Sequence, residues 1–129
     1  MAQVDYIADT SAIVRLLRRD PAVIDILQDK QFAVTFVTLA ELTVGALKAN
    51  RPEAALQAVA RGLANCLVLG VSQVTSQFYA HIFVELEKAG QMIPINDIWI
   101  AALARQHNLP VIAKDKHFLR VQGLRVIEC

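Results

Sequence analysis

Four carboxylates stand out by where they fall in the chain. Asp9 follows the apolar stretch YIA, Glu41 lies in TLAELTVGA, Asp97 opens NDIWIAALA, and Asp115 follows PVIA and one lysine. Each stands at the end of a segment otherwise suited to a hydrophobic core. Taken singly, each has a plain structural role. Asp9 suits the cap of a helix that begins after it. TLAE reads as a capping box in which Thr38 caps and Glu41 reaches back. Asn96 or Asp97 suits a helix N-cap, and Asp115 suits the cap of a turn through KHFL. Taken together, four acids brought to one place would repel one another and would need a compensating cation. A hard divalent ion fits such an all-oxygen donor set.

The elements that must position these residues read as alternating strands and helices. VDYIA, FAVTFV, CLVLG, PVIA and LRVIE are the expected strands. TSAIVRLLRR, PAVIDILQDK, TLAELTVGALKA, PEAALQAVARGLA, SQVTSQFYAHIFVELEKAG and NDIWIAALARQHN are the expected helices, with KHFLR as a helical turn. Pro21 and Pro52 suit first helical turns, Gly90 suits a C-cap, and Pro110 stops the helix before it. Alternation of this kind gives a parallel sheet covered on both faces. Right-handed crossovers then bring every strand's C-terminal end and the next helix's N-terminus to one edge. Asp9, Glu41, Asp97 and Asp115 all belong to that edge, where open α/β sheets bind ligands at the point of strand-order reversal.

The chain of 129 residues has the size of one domain, 1–129, and 55% of it is apolar. That content exceeds the usual range for a soluble domain and points to a covered surface, a homodimer or a standing partner. Ile24, Leu27 and Phe83 are candidate contacts. No apolar run is long enough to span a membrane and no leader pattern opens the chain, so a cytoplasmic location is expected. Cys66 and Cys129 lack metal-type spacing; Cys66, in CLVLG, reads as a core thiol. The net charge is only +1, but without the four acids eight acidic residues face thirteen basic ones. Gly45, inside an expected helix, suggests close approach of another backbone. Trp99 reads as core packing, His81 as a packed or surface residue, and His107 as a helix-end residue.

YIADTSAIVRLL, TLAELTVGA, GQMIPINDIWIAALA and LPVIAKDKHF, in this order and over nearly the whole chain, resemble the successive motifs of PIN-domain ribonucleases, most of all the VapC toxins of bacterial toxin–antitoxin pairs. The resemblance implies a PIN-like three-layer α/β/α fold with a five-stranded parallel sheet in the order 3-2-1-4-5. It implies a Mg2+- or Mn2+-dependent endoribonuclease that hydrolyses RNA phosphodiester bonds, with in-line attack on the leaving 3′ oxygen. By position, Asp9, Glu41, Asp97 and Asp115 match the family's metal ligands, and Ser11 matches a hydroxyl that supports the first acid. The family usually carries threonine two residues before the fourth acid; here Ala113 stands there, so a hydrogen bond that would orient Asp115 is absent.

Phosphates need cations, and Arg15, Lys114, Lys116 and His117 flank the expected site as candidates for the RNA backbone. The partners so implied are RNA, a cognate antitoxin that covers the acidic edge with an arginine among the carboxylates, and a second copy of the chain. The alternative reading is a non-catalytic PIN-like module that binds RNA or protein. A phosphate-receiving response-regulator domain is a poorer fit, because IADTS supplies one acid where that fold needs a pair.

Overall fold

The computed structural model describes residues 3–129, so the first two residues of the expected domain lie outside it. Five strands form one sheet: β1 (Tyr6–Ala8), β2 (Phe32–Thr35), β3 (Leu67–Leu69), β4 (Val111–Ala113) and β5 (Val126–Glu128). All neighbouring pairs are parallel and the order is β3-β2-β1-β4-β5, as expected. The helices are α1 (Thr10–Leu17), α2 (Pro21–Leu27), α3 (Phe36–Leu47), α4 (Pro52–Gly62), α5 (Gln73–Ala89) and α6 (Ile95–His107), with a 3-10 turn at Lys116–Arg120.

The two-residue period of the strands builds two cores. Ile7, Val111 and Ala113 face one layer, where they meet Ile82, Leu86, Ile98, Leu103 and Phe118 of α5, α6 and the turn. Ala8, Val34 and Ile112 face the other, against Ala12, Ile13, Val23, Leu27 and Leu42. Successive strand residues point to opposite faces, so strands covered on both sides must be apolar throughout. The β1–β4 pairing, Ile7 with Val111 and Ala8 with Ile112, joins the sheet's two halves at the reversal of strand order. It also sets the ends of β1 and β4 side by side, which brings Asp9 and Asp115 to one place.

Local chemistry fixes the ends. Asp9 caps α1, Asp20 caps α2 ahead of Pro21, and Ser72 with Thr75 forms a capping box for α5. Gly90 ends α5 at φ +65°, a left-handed conformation that favours glycine. Three expectations need correction. The run FAVTFV leaves the sheet after Thr35, and α3 begins at Phe36 with Thr35, not Thr38, as its cap. Phe36 and Val37 pack toward α6 instead of extending β2. Gly45 meets nothing within 4 Å of an added Cβ, whereas Gly62 lies under the Leu17 side chain, so the close helix approach is at Gly62. Leu27 is buried with Val23 and cannot serve an outer contact face, while Ile24 remains exposed.

The helix anchoring the site is also the most deeply packed. Ile98, Ile100, Ala101, Ala102, Leu103 and Ala104 of α6 are all buried, and Trp99 stacks on Tyr79 with ring centroids 4.1 Å apart. No helix among the described residues is long and apolar enough to cross a membrane.

Candidate active site

Asp9 is the innermost of the four acids. Its backbone N–H donates to Ile112 in the β1–β4 ladder at 3.0 Å, and the residue is 4% exposed. Its Oδ1 accepts the Ala12 N–H at 2.8 Å and shares the Ser11 hydroxyl with Oδ2 at 2.8 and 2.9 Å. Ser11 Oγ in turn accepts the Lys114 N–H at 3.2 Å, so one hydroxyl ties α1 to the end of β4. These bonds favour the charged carboxylate, yet burial outweighs them, and with Asp97 and Asp115 nearby the Asp9 pKa is pushed up to about 6. Asp9 is thus a helix cap and also an acid held at a cost.

Asp97 lies in the first turn of α6, but Pro94 occupies the N-cap and no side chain caps this helix. Burial raises the Asp97 pKa, Asp115 and Glu41 add to the rise, and His117 opposes it. Its Oδ2 lies 3.2 Å from His117 Nδ1. Asp115 caps the 3-10 turn by accepting the His117 N–H at 3.3 Å, and its Oδ1 is also 3.2 Å from His117 Nδ1. Among the described residues, one oxygen each of Asp97 and Asp115 and a ring nitrogen of His117 lie within 4.8 Å of one another.

Glu41 is on the second turn of α3, one turn deeper than a helix starting at Thr38 would put it, and it is exposed. The Thr10 hydroxyl donates to its Oε1 at 2.7 Å. Thr10 Oγ1 also lies 3.0 Å from the fully buried Thr38 Oγ1. A hydroxyl has one proton; with Thr10 giving its own to Glu41, Thr38 donates to Thr10. A directed chain from α3 through α1 therefore holds Glu41. Of the four expected acids, Asp97 and Asp115 lie closest together, with His117; Asp9 feels the charges of Asp97 and Asp115, and Asp97 that of Glu41.

The basic candidates divide. Lys114, Lys116 and His117, with Ser11, Asp115 and Arg120, line an open cleft of about 630 Å³. Arg15 does not line it: its guanidinium pairs with Asp20 at 2.7 Å and holds that carboxyl below the usual range. The ring of His117, also a candidate for RNA contact, lies in the acid cluster between two carboxylates. Thr10, Thr38 and Arg120 are additions that the motifs did not single out. Thr10 sits between two residues that were, and Arg120 follows Lys116 by one helical turn. Cys66, as expected, is structural: its thiol donates to the Phe32 carbonyl at 3.2 Å, and burial pushes its pKa up to about 11.

The PIN domain family model matches residues 6–124, which take in the first four strands and all four acids. The chain belongs to the PIN-domain family. Within it, the chain is 34% identical to Ribonuclease VapC4 of Mycobacterium tuberculosis over 129 residues, covering 94% of each protein. It is 37% identical over 98 residues to Ribonuclease VapC5 of the same organism, covering 74% of this chain and 73% of the relative. Among solved structures, VapBC-1 from nontypeable Haemophilus influenzae superposes with a TM-score of 0.86 at 27% identity, covering 97% of this chain and 98% of that one. The fold of this chain agrees with that solved structure.

Proposed function

We infer that this PIN-domain protein is an endoribonuclease of the VapC kind, the toxin of a pair whose partner antitoxin restrains it. The relatives named ribonuclease support the activity, and solved relatives described as members of VapBC toxin–antitoxin systems support the partner. The observation that carries the reading is the convergence of Asp9, Glu41, Asp97 and Asp115 at the β1–β4 edge, with the Asp9 pKa pushed up to about 6. Buried like charges of this kind suit an oxygen-seeking divalent cation, Mg2+ or Mn2+. Asp9 and Asp97 would hold it, with Asp115 and Glu41 beside them. When bound, the cation supplies an activated water and neutralises charge growing on the phosphoryl oxygens.

The chain's own residues do the positioning. Ser11 and the Ala12 N–H fix the Asp9 carboxylate, and Thr10 fixes Glu41. Lys114, Lys116 and Arg120 rim the open cleft and supply positive charge for a phosphate backbone. The exposed apolar side chains Leu39, Val44, Leu47, Leu67 and Val68 on the α3–β3 flank offer area for the antitoxin or for a second copy of the chain. A cytoplasmic location goes with this reading. The test is cleavage of a mixed RNA pool by the purified chain. Cleavage is expected with Mg2+ or Mn2+, lost in EDTA, and lost in Asp97→Asn with the fold retained. Cleavage by Asp97→Asn at the wild-type rate contradicts the reading.

A further inference from the structure

His117 departs from an all-carboxylate site in a specific way. Its Nδ1 stands 3.2 Å from Asp97 Oδ2 and 3.2 Å from Asp115 Oδ1. Both contacts stand at the long end of the N–H···O range of about 2.7–3.2 Å. One N–H cannot point at both oxygens, and only the Asp97 contact has hydrogen-bond direction. The spacing is instead close to that of adjacent donors on a six-coordinate ion. Bonds of about 2.1 Å at right angles set neighbouring donors about 3.0 Å apart. The ring is held there from two sides. The Asp115 carboxylate accepts the His117 N–H, and the next residue, Phe118, is 0% exposed in the core.

We propose that His117 is itself a metal ligand, its Nδ1 forming with Asp97 and Asp115 a mixed nitrogen–oxygen donor set that favours Mn2+ over Mg2+. The inference rests on the metal-site reading above and goes further by adding a nitrogen donor and an ion preference. Mg2+ takes carboxylate and water oxygens and gains little from imidazole, whereas transition-metal ions accept imidazole nitrogen readily.

The chain's histidine content makes the test clean. Of the three histidines, His81 is exposed on α5 and His107 is exposed in the last turn of α6, the end opposite Asp97. Pulsed electron paramagnetic resonance of Mn2+ bound to the full chain is expected to show coupling to a directly ligated 14N nucleus, and that coupling should vanish in His117→Asn. Calorimetric titration should show His117→Asn weakening Mn2+ by at least about tenfold, in line with the loss of a group that tunes a metal site, and Mg2+ by much less. Unfolding in EDTA checks that the variant is folded; the wild-type 14N signal does not depend on the variant. Mn2+ that binds without 14N coupling overturns this inference and leaves the carboxylate site standing. Absence of any Mn2+ or Mg2+ binding overturns both.

Discussion

Helices α6 and α4 show two ways of attaching a helix to one sheet. α6 buries six of the seven residues from Ile98 to Ala104, Trp99 being the exception, and is apolar nearly all round over that stretch. α4 buries none, and the strand after it, β3, leaves Leu67 and Val68 exposed at the sheet edge. The acid cluster sits at the head of the first. A carboxylate can be kept where its ionisation is disfavoured only if the surroundings cannot relax, and α6, β1 and β4 provide that rigidity. The α4–β3 flank has the opposite character, with apolar surface left over and little core of its own. Under the proposed function the centre of the sheet carries the chemistry and the flank is the surface offered to a partner.

The comparison is broken most forcefully in the core. Phe118→Ala, next to His117, should destabilise the fold by about 3–5 kcal/mol, while Leu67→Ala on exposed β3 should stay within about 0.5 kcal/mol. Urea unfolding of both variants measures this, and equal losses would remove the distinction between centre and flank. A smaller effect is expected at the hydroxyl chain. Thr10→Val should lower kcat/KM for RNA by about tenfold, the scale of a lost group that orients a ligand, beside a stability loss of about 1–3 kcal/mol from leaving the buried Thr38 hydroxyl without its acceptor. An unchanged kcat/KM would mean that Glu41 needs no orientation from Thr10. The smallest effect is at the glycines. Gly45→Ala should stabilise by up to about 1 kcal/mol, whereas Gly62→Ala should give no gain because its methyl meets Leu17. A gain at Gly62 equal to that at Gly45 would show that α4 is too loosely held to feel the contact.

The fold and the four acids were legible because each rests on a local signal: strand, cap and helix start fall in short segments, and parallel topology carries their ends to one edge. The start of α3 was not. VTFVT is β-branched and aromatic, and either Thr35 or Thr38 can cap; packing of Phe36 and Val37 against α6 decides it. The role of His117 was hidden for a similar reason, because its ring meets Asp97 twenty residues away. The pairing of Arg15 was not legible either, because its partner Asp20, five residues on, meets it only once the chain turns out of α1.

The central claim is that the acids are a cost to the empty protein and serve a cation. Asp9 states it best, since its folded pKa of about 6 exceeds the ordinary 3.8. The folded state then holds its proton more tightly than the unfolded one. Stability from this group is full below the ordinary value and falls as pH rises through about 6, a loss on the order of 3 kcal/mol at neutral pH. Asn at this position keeps an oxygen for the Ala12 N–H and so keeps the cap, but carries no charge. The decisive measurement is therefore the thermal unfolding of wild type and Asp9→Asn at pH 7.5, each in EDTA and in Mg2+ or Mn2+. In EDTA, Asp9→Asn should be at least as stable as wild type. Metal at one-hundredfold over its Kd should stabilise wild type by about 2.7 kcal/mol and the variant far less. If metal moves neither transition and Asp9→Asn melts below wild type in EDTA, Asp9 is a helix cap alone and the account is wrong.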